Sequence, residues 1–270
     1  MTKIEIPAQP NVTLVAFYEK VSKDLKSNNF AKLIISVQDQ IHTVLKEIGA
    51  ANTFQQYDLE QVHATIIGCE GAKINNHVMN KWFWESRNLK RFIEFENLLQ
   101  YFRNNSILPV VVRFGGYASS IDYGFTSQNL HPYIRSFQIK DDKTAILMGW
   151  PTRDGQCPLL LDQFRLGAQK YNVLHKFHFS PADVDNDCYL RVGHFKTLPD
   201  PVIRKTIETK VRETLTSMVP IYEIIDHTSL SIIQYNETLL ALENTSAWGL
   251  EDITATEIVD LYPIAKVSNQ

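Results

Sequence analysis

The stretch Gln61-Val-His-Ala-Thr-Ile-Ile-Gly68 alternates between apolar and polar side chains, as a β-strand buried on one side does. Side chains two residues apart on a strand point to the same face. His63 and Thr65 therefore share one face, and the apolar residues between and beside them pack on the other. The sequence predicts a strand that presents an imidazole beside a hydroxyl.

A second stretch, Asp226-His-Thr-Ser-Leu-Ser-Ile-Ile233, has a similar pattern. If it is a strand, His227, Ser229 and Ser231 share one face, backed by apolar residues. A strand, a helix and a strand are predicted over 12–69, and the same order recurs over 188–235, where the two strands are predicted at 188–195 and 223–235. Each copy closes with a strand that contains histidine, so we expect two related lobes.

The remaining elements also alternate. An apolar stripe from Leu33 to Ile48 predicts a helix, and Asp200-Pro201 opens another as a polar cap followed by proline. Residues 74–104 look helical and hold much of the aromatic content, 136–150 reads as a hairpin, and 159–171 reads as a helix. We predict an α+β fold of one domain, 1–270, with lobes at about 10–115 and 133–262.

Composition restricts the function classes. The chain has 270 residues, 44% hydrophobic and 21% charged, with a net charge of −3, which is typical of a globular protein. A protein that binds long nucleic acid through phosphate contacts needs a basic surface, so that class is not favoured. Three widely spaced cysteines, no apolar stretch near 20 residues and no signal-like start predict a cytoplasmic location without a membrane anchor.

Two imidazoles and two hydroxyls around one cleft would suit phosphoester chemistry without a metal. A neutral imidazole can take a proton from the attacking oxygen while a protonated one donates to the leaving oxygen. The hydroxyls of Thr65 and Ser229 can bind non-bridging phosphate oxygens and hold the phosphorus in line.

These motifs resemble those of the two-histidine (2H) phosphoesterase superfamily, which includes RNA 2′,5′-ligase-like proteins and cyclic phosphodiesterases. His63-Ala-Thr65-Ile66 and His227-Thr-Ser229-Leu230 look like its paired H-x-[ST]-apolar motifs. The resemblance implies a bilobal fold in which two antiparallel sheets flank a central cleft, with helices outside. It further implies that His63 and His227 are general acid and base, that Thr65 and Ser229 bind phosphate, and that no cofactor is used.

A second alignment of the chain with the paired motifs remains open, and we call it the second registration. If Cys188-Tyr-Leu-Arg191 is the counterpart of the second motif, its histidine is missing and Tyr189 and Arg191 stand in its place. The chain would then be an inactive nucleotide-binding or sensor module on the same scaffold. We prefer His227 because the motif there is intact. Another alternative is a protein-interaction domain that uses the aromatic segment 74–104.

The expected partner is a small nucleotide or an RNA end; the sequence leaves the oligomeric state open. Arg113, Arg191 and Tyr235 lie on or near predicted strands and are candidate substrate contacts. His175, His178 and His194 could form a zinc site, but no carboxylate stands at a diagnostic spacing, so no metal is expected.

Overall fold

The computed structural model describes residues 2–18, 28–237 and 239–269, which form fourteen strands and seven α-helices. The strands are β1 (Thr2–Glu5), β2 (Asn11–Ala16), β3 (Phe54–Gln56), β4 (Ala64–Gly68), β5 (Gly71–Ile74), β6 (His77–Asn80), β7 (Val110–Phe114), β8 (Phe137–Ile139), β9 (Thr144–Pro151), β10 (Cys188–Phe195), β11 (Ile221–Ile225), β12 (Leu230–Tyr235), β13 (Thr245–Gly249) and β14 (Lys266–Asn269). The helices are α1 (Asn28–Glu47), α2 (Lys81–Arg87), α3 (Phe95–Asn104), α4 (Pro132–Arg135), α5 (Leu160–Ala168), α6 (Pro201–Ser217) and α7 (Ala255–Asp260).

The main sheet joins ten strands, and all of its pairs are antiparallel. Its order is β11-β7-β9-β10-β4-β2-β12-β13, with β3 added beside β10 and β8 beside β9. Strands β1 and β14 form one small ribbon, and β5 and β6 form another. The α+β class is confirmed. One sheet takes the place of the two that the sequence resemblance implies.

The two predicted lobes exchange strands within this sheet. Strand β7, from the lobe at about 10–115, lies between β11 and β9. Strand β12, from the lobe at about 133–262, lies beside β2. Each half of the sheet is therefore built from both ends of the chain, and its centre is the junction of β4 with β10.

The sheet separates a large helix-side core from two small clusters on its other face. Ala64 and Ile66 of β4 and Leu190 of β10 point into the helix-side core, where α1 packs against α6. On the opposite face, Val15, Tyr18, Ile233 and Leu240 form one cluster, and Tyr117, Ile146, Met148 and Trp150 form the other. Strands β4 and β10 run between those clusters.

Several predicted elements are confirmed. Strand β10 has the predicted bounds, the hairpin is β8 and β9, and α6 begins after Asp200. The Asp200 carboxylate accepts hydrogen bonds from the backbone N–H groups of Val202 and Ile203, which would otherwise lack a helical partner.

The predicted strand over 223–235 is wrong. It is two strands, β11 and β12, separated by a 3₁₀ turn at His227–Ser229. The Asp226 carboxylate accepts from the N–H groups of Thr228 and Ser229, and the Ser229 hydroxyl accepts from the Asp226 N–H. This reciprocal capping gives the backbone an alternative to ladder hydrogen bonds, which is why the alternating pattern does not form a strand here.

The long helix predicted over 74–104 is also wrong. The segment contains β6, the short helix α2 and the helix α3. Helix α2 starts at the Asn80 cap, whose side chain accepts from the Phe83 N–H, and Asn88 ends it in a left-handed conformation. The segment's aromatic side chains are buried or half-buried: Trp82, Phe83, Trp84, Phe92, Phe95, Tyr101 and Phe102. Phe83, Phe95 and Phe102 pack in the interior, and the other four side chains stay partly accessible.

Among the described residues, no helix combines the length and the apolar character that crossing a bilayer requires.

Candidate functional site

The junction of β4 with β10 places four functional side chains on one face of the sheet. Ala64 lies opposite Leu190, and this is the one residue pair that joins the two strands. The Arg191 N–H donates to the His63 carbonyl oxygen across the junction at 3.4 Å. Because Ala64 and Leu190 point into the helix-side core, alternation turns His63, Thr65, Tyr189 and Arg191 to the opposite face.

Two cavities open on this face and share a wall made by Thr65, Lys176 and Arg191. The other lining residues of cavity A are Gln128, Arg135, Lys140, Arg165, His175, Phe177, Asp185, Asp187 and Tyr189. Those of cavity B are Thr13, His63, Glu70, Tyr235 and Leu240. A ligand seated at the shared wall can reach into both.

Arg135 and Arg165, at cavity A, form ion pairs with buried carboxylates. Arg135 and Asp187 form a buried ion pair at 2.6 Å, and Asp187 also accepts from Trp150 Nε1 and the Ser127 hydroxyl. Arg165 lies 3.5 Å from the Asp185 carboxylate. Removing either guanidinium would leave a buried carboxylate without its counter-charge.

Arg165 fills the gap that opens beyond the single residue pair of β4 and β10. On the β4 side its guanidinium donates to the carbonyl oxygens of Ile66 at 2.7 Å and Thr65 at 3.3 Å. On the β10 side it donates to the carbonyl oxygens of Asp185 at 2.7 Å and Asp187 at 3.0 Å. These four hydrogen bonds take the place of ladder bonds between the two strands.

Lys140, Lys176 and Arg191 give the cavities a cationic lining. Burial lowers the pKa of Lys176, although the nearby Glu70 carboxylate opposes this effect. Burial also lowers the pKa of Lys140, and the neighbouring Arg135 guanidinium adds to the shift. Desolvation disfavours the charged ammonium, so an anionic ligand beside either lysine would stabilise its charged form.

His63 lies directly before β4 and is buried against cavity B. Its Nδ1 is 2.7 Å from the Gln61 carbonyl oxygen, and its ring meets Tyr18 edge-on at 6.1 Å between centroids. A carbonyl oxygen can only accept, so Nδ1 carries the proton and Nε2 holds the lone pair of the neutral ring. In the neutral ring the basic nitrogen is therefore Nε2, which is itself buried.

Two tyrosines flank the shared wall. Burial raises the pKa of Tyr189 to about 12, against the effect of the Arg191 guanidinium, so its phenol is a hydrogen-bond donor at neutral pH. Burial also raises the pKa of Tyr235, and the charge of Glu70 adds to that shift. Tyr235 lines cavity B with His63, as expected for a candidate substrate contact.

His227 does not join this site. Its Nδ1 lies 3.3 Å from the carbonyl oxygen of Phe102 on α3, and Phe102 packs into the helix-side core. Strand β2 separates β12 from β4, which alone puts about 10 Å between them at about 4.8 Å per strand. His227 lines neither cavity A nor cavity B. The expected convergence of the two imidazoles is therefore wrong.

Ser229 and Arg113 are likewise outside the cavities. The Ser229 hydroxyl is buried in the capping of Asp226, where it accepts one hydrogen bond and donates another. Arg113 donates to the carbonyl oxygens of Gly115 and Gly116, and its guanidinium lies 4.5 Å from the centre of the Tyr117 ring. Both residues have structural roles.

Two of the three histidines considered for zinc, His175 and His178, are paired with carboxylates. His175 Nε2 lies 2.7 Å from Asp185, and His178 Nε2 lies 2.9 Å from Asp162. Burial is the largest of the effects that lower the pKa of His175 to about 4, so the ring is neutral at pH 7. Across the part of the chain that the structure describes, no group of three metal-ligating side chains is assembled.

Sequence reasoning missed Lys140, Lys176 and Glu70. Lys176 comes from the loop between Tyr171 and β10, which carries no strand or helix periodicity. Long-range folding brings these residues to the junction, so their spacing in the sequence held no signal. Tyr189 and Arg191 could be found from the sequence, because their spacing of two residues in β10 is the basis of the second registration.

The chain matches no model of a known protein family, and no curated protein is similar to it in sequence.

Proposed function

We propose that the protein binds a small phosphorylated ligand at the wall shared by cavities A and B, on a scaffold of the two-histidine phosphoesterase type. The observation that carries this proposal is the pairing of Ala64 with Leu190. It sets Tyr189 and Arg191 beside His63 and Thr65, as the second registration of the motif requires. A cytoplasmic setting belongs to the same proposal.

The shared wall offers the groups that a phosphate needs. Arg191, whose side chain also hydrogen-bonds to Tyr57, can donate to phosphate oxygens, while Lys176 supplies a compact charge. The Thr65 hydroxyl can donate a further bond. Because burial disfavours the charged form of Lys176, a phosphate bound beside it would stabilise the ammonium.

Calorimetric titration with ribose 5-phosphate tests the binding proposal. Charge-assisted hydrogen bonds contribute about 1.5–3 kcal/mol, so Arg191→Gln should raise the dissociation constant about tenfold or more. Lys205→Gln makes the same charge change at an exposed position of α6 and should leave affinity unchanged. Circular dichroism confirms that both variants fold. Equal affinities for wild type and Arg191→Gln would refute the proposal.

A second candidate is a phosphodiesterase that uses His63 as its single imidazole. The contact of His63 Nδ1 with the Gln61 carbonyl favours it, because Nε2 is then the basic nitrogen. Nε2 would take a proton from an attacking water as its oxygen bonds to phosphorus. The imidazolium would then return that proton to the oxygen that leaves, while Lys176 and Arg191 stabilise the charge on the other phosphate oxygens.

Hydrolysis of 2′,3′-cyclic AMP in the presence of EDTA separates these versions. If His63 acts alone, His63→Ala abolishes turnover and His227→Ala leaves it unchanged. If the two histidines expected from the sequence act together, both variants lose turnover. Binding of the nucleotide by the wild type without turnover assigns the protein to the binding function.

A further inference from the structure

We infer that Phe177 and Gln128, at the mouth of cavity A, form a nucleobase subsite, so that the ligand is a nucleotide and not a sugar phosphate or inorganic phosphate. This inference rests on the proposed function, since it assumes that the cations deeper in the cavity hold a phosphate. Phe177 would stack on the face of the base, and Gln128 would hydrogen-bond to its edge.

Phe177 exposes an aromatic ring at the edge of a cationic cavity. It lines cavity A and is 39% exposed. Its ring is held in place: Lys176 Nζ lies 4.8 Å from its centre, and His175 meets it at 5.5 Å between ring centroids. An aromatic face that is both exposed and held still loses little entropy when a base stacks on it.

The loop that carries Phe177 is anchored on both sides of it. The His175 bond to Asp185 and the His178 bond to Asp162 are both buried, and Arg87 donates to the His178 carbonyl oxygen. The exposure of Phe177 therefore does not come from a loose segment. The anchoring residues fix the backbone on either side and direct this ring to the cavity mouth.

Gln128 reaches the same cavity from a tight turn of unusual geometry. Ser127 and Leu130 exchange two backbone hydrogen bonds, and Gln128 and Asn129 between them have φ of +48° and +61°. Such turns favour asparagine and glycine, and glutamine at the first position is strained. The turn is fixed because the Ser127 hydroxyl donates to the buried Asp187 carboxylate at 2.7 Å.

A strained glutamine needs a compensating role, and ligand recognition supplies one. A carboxamide has a donor and an acceptor side by side, which matches the donor–acceptor edge of a nucleobase. Gln128 is exposed and lines cavity A together with Phe177. The cavity thus joins an aromatic face and an amide at its mouth to Lys140, Lys176 and Arg191 in its lining.

A calorimetric comparison of AMP with ribose 5-phosphate measures how much the base contributes to binding affinity. Wild type should bind AMP about tenfold more tightly, the gain expected for one stacked base. Phe177→Ala should remove most of that difference and leave the affinity for ribose 5-phosphate unchanged. Gln128→Gly should weaken AMP binding about fivefold while its thermal midpoint does not fall, because glycine relieves the left-handed backbone.

Each variant has a matched control in the same segment. Phe179 is 57% exposed on the Phe177 loop but does not line cavity A, and Asn129 shares the left-handed turn without lining it. Phe179→Ala and Asn129→Gly should bind AMP as wild type does. Equal affinity of wild type for AMP and ribose 5-phosphate overturns the inference alone. Binding of neither ligand overturns the proposed function as well.

Discussion

His63, His175 and His227 carry the same imidazole in three different surroundings. His63 borders cavity B with Nδ1 on a backbone carbonyl, His175 is buried on the Asp185 carboxylate, and His227 rests against α3. Of the two that stand in H-x-[ST] tripeptides, His63 lines cavity B and His227 lines neither cavity. Tautomer, charge and access come from the groups around the ring, so a tripeptide indicates a candidate and not a role.

His175 should make stability depend on pH. Its pKa is about 4 in the folded protein and about 6.5 in an unfolded chain, so the unfolded state binds more protons between those values. Stability is therefore complete above pH 6.5 and falls as the pH drops towards 4, by up to about 3 kcal/mol. Urea unfolding across this range should show the fall, and His175→Gln should flatten it. Parallel curves for the two proteins would contradict the assignment.

At the scale of elements, local sequence patterns determine some helices and strands, and tertiary structure determines others. Strand β10, the hairpin β8–β9 and the capped helix α6 could be predicted, because alternation, turn residues and an Asp-Pro start act locally. The turn at 227–229 could not, since its alternating pattern was outweighed by reciprocal capping between Asp226 and Ser229. That β10 and not β12 lies beside β4 depends on strand order, which no local pattern contains.

We expect the guanidinium of Arg165 to be the main group that holds β4 and β10 together. Arg165→Met leaves the Asp185 carboxylate and four carbonyl oxygens without this donor, so we expect a loss of about 3–5 kcal/mol in unfolding free energy. Arg204→Met removes ion pairs with the exposed Asp141 and with Glu208 one helical turn away, and should cost about 1 kcal/mol or less. Urea titration measures the unfolding free energy of both variants. Similar losses would show that the contacts of Arg165 stabilise the fold no more than an exposed ion pair does.

At the scale of the whole molecule, a net charge of −3 surrounds a cationic pair of cavities. The sequence predicted a small ligand from the overall charge, and the position of the cations agrees with a local anion site. A single phosphate group can be held there, while the remaining surface offers a long polyanion no excess of positive charge.

Long RNA should gain nothing over a short ligand. Lys140, Lys176 and Arg191 limit the site to about three phosphate contacts, so the slope of log affinity against log salt should be no steeper than about −2. Fluorescence anisotropy with a labelled dinucleotide and a labelled 20-nucleotide RNA at several salt concentrations measures this. A clearly steeper slope for the longer RNA would reveal a second, extended nucleic-acid surface.

The exchange of strands between the halves of the sheet means that neither half can be produced alone. A cut anywhere in 118–131 yields one fragment with β2, β4 and β7 and another with β9, β10, β11 and β12. Strand β2 must then find β12, and β7 must find β9 and β11, all on the other fragment. The two fragments would fold only together, and ligand binding would return only when both are mixed.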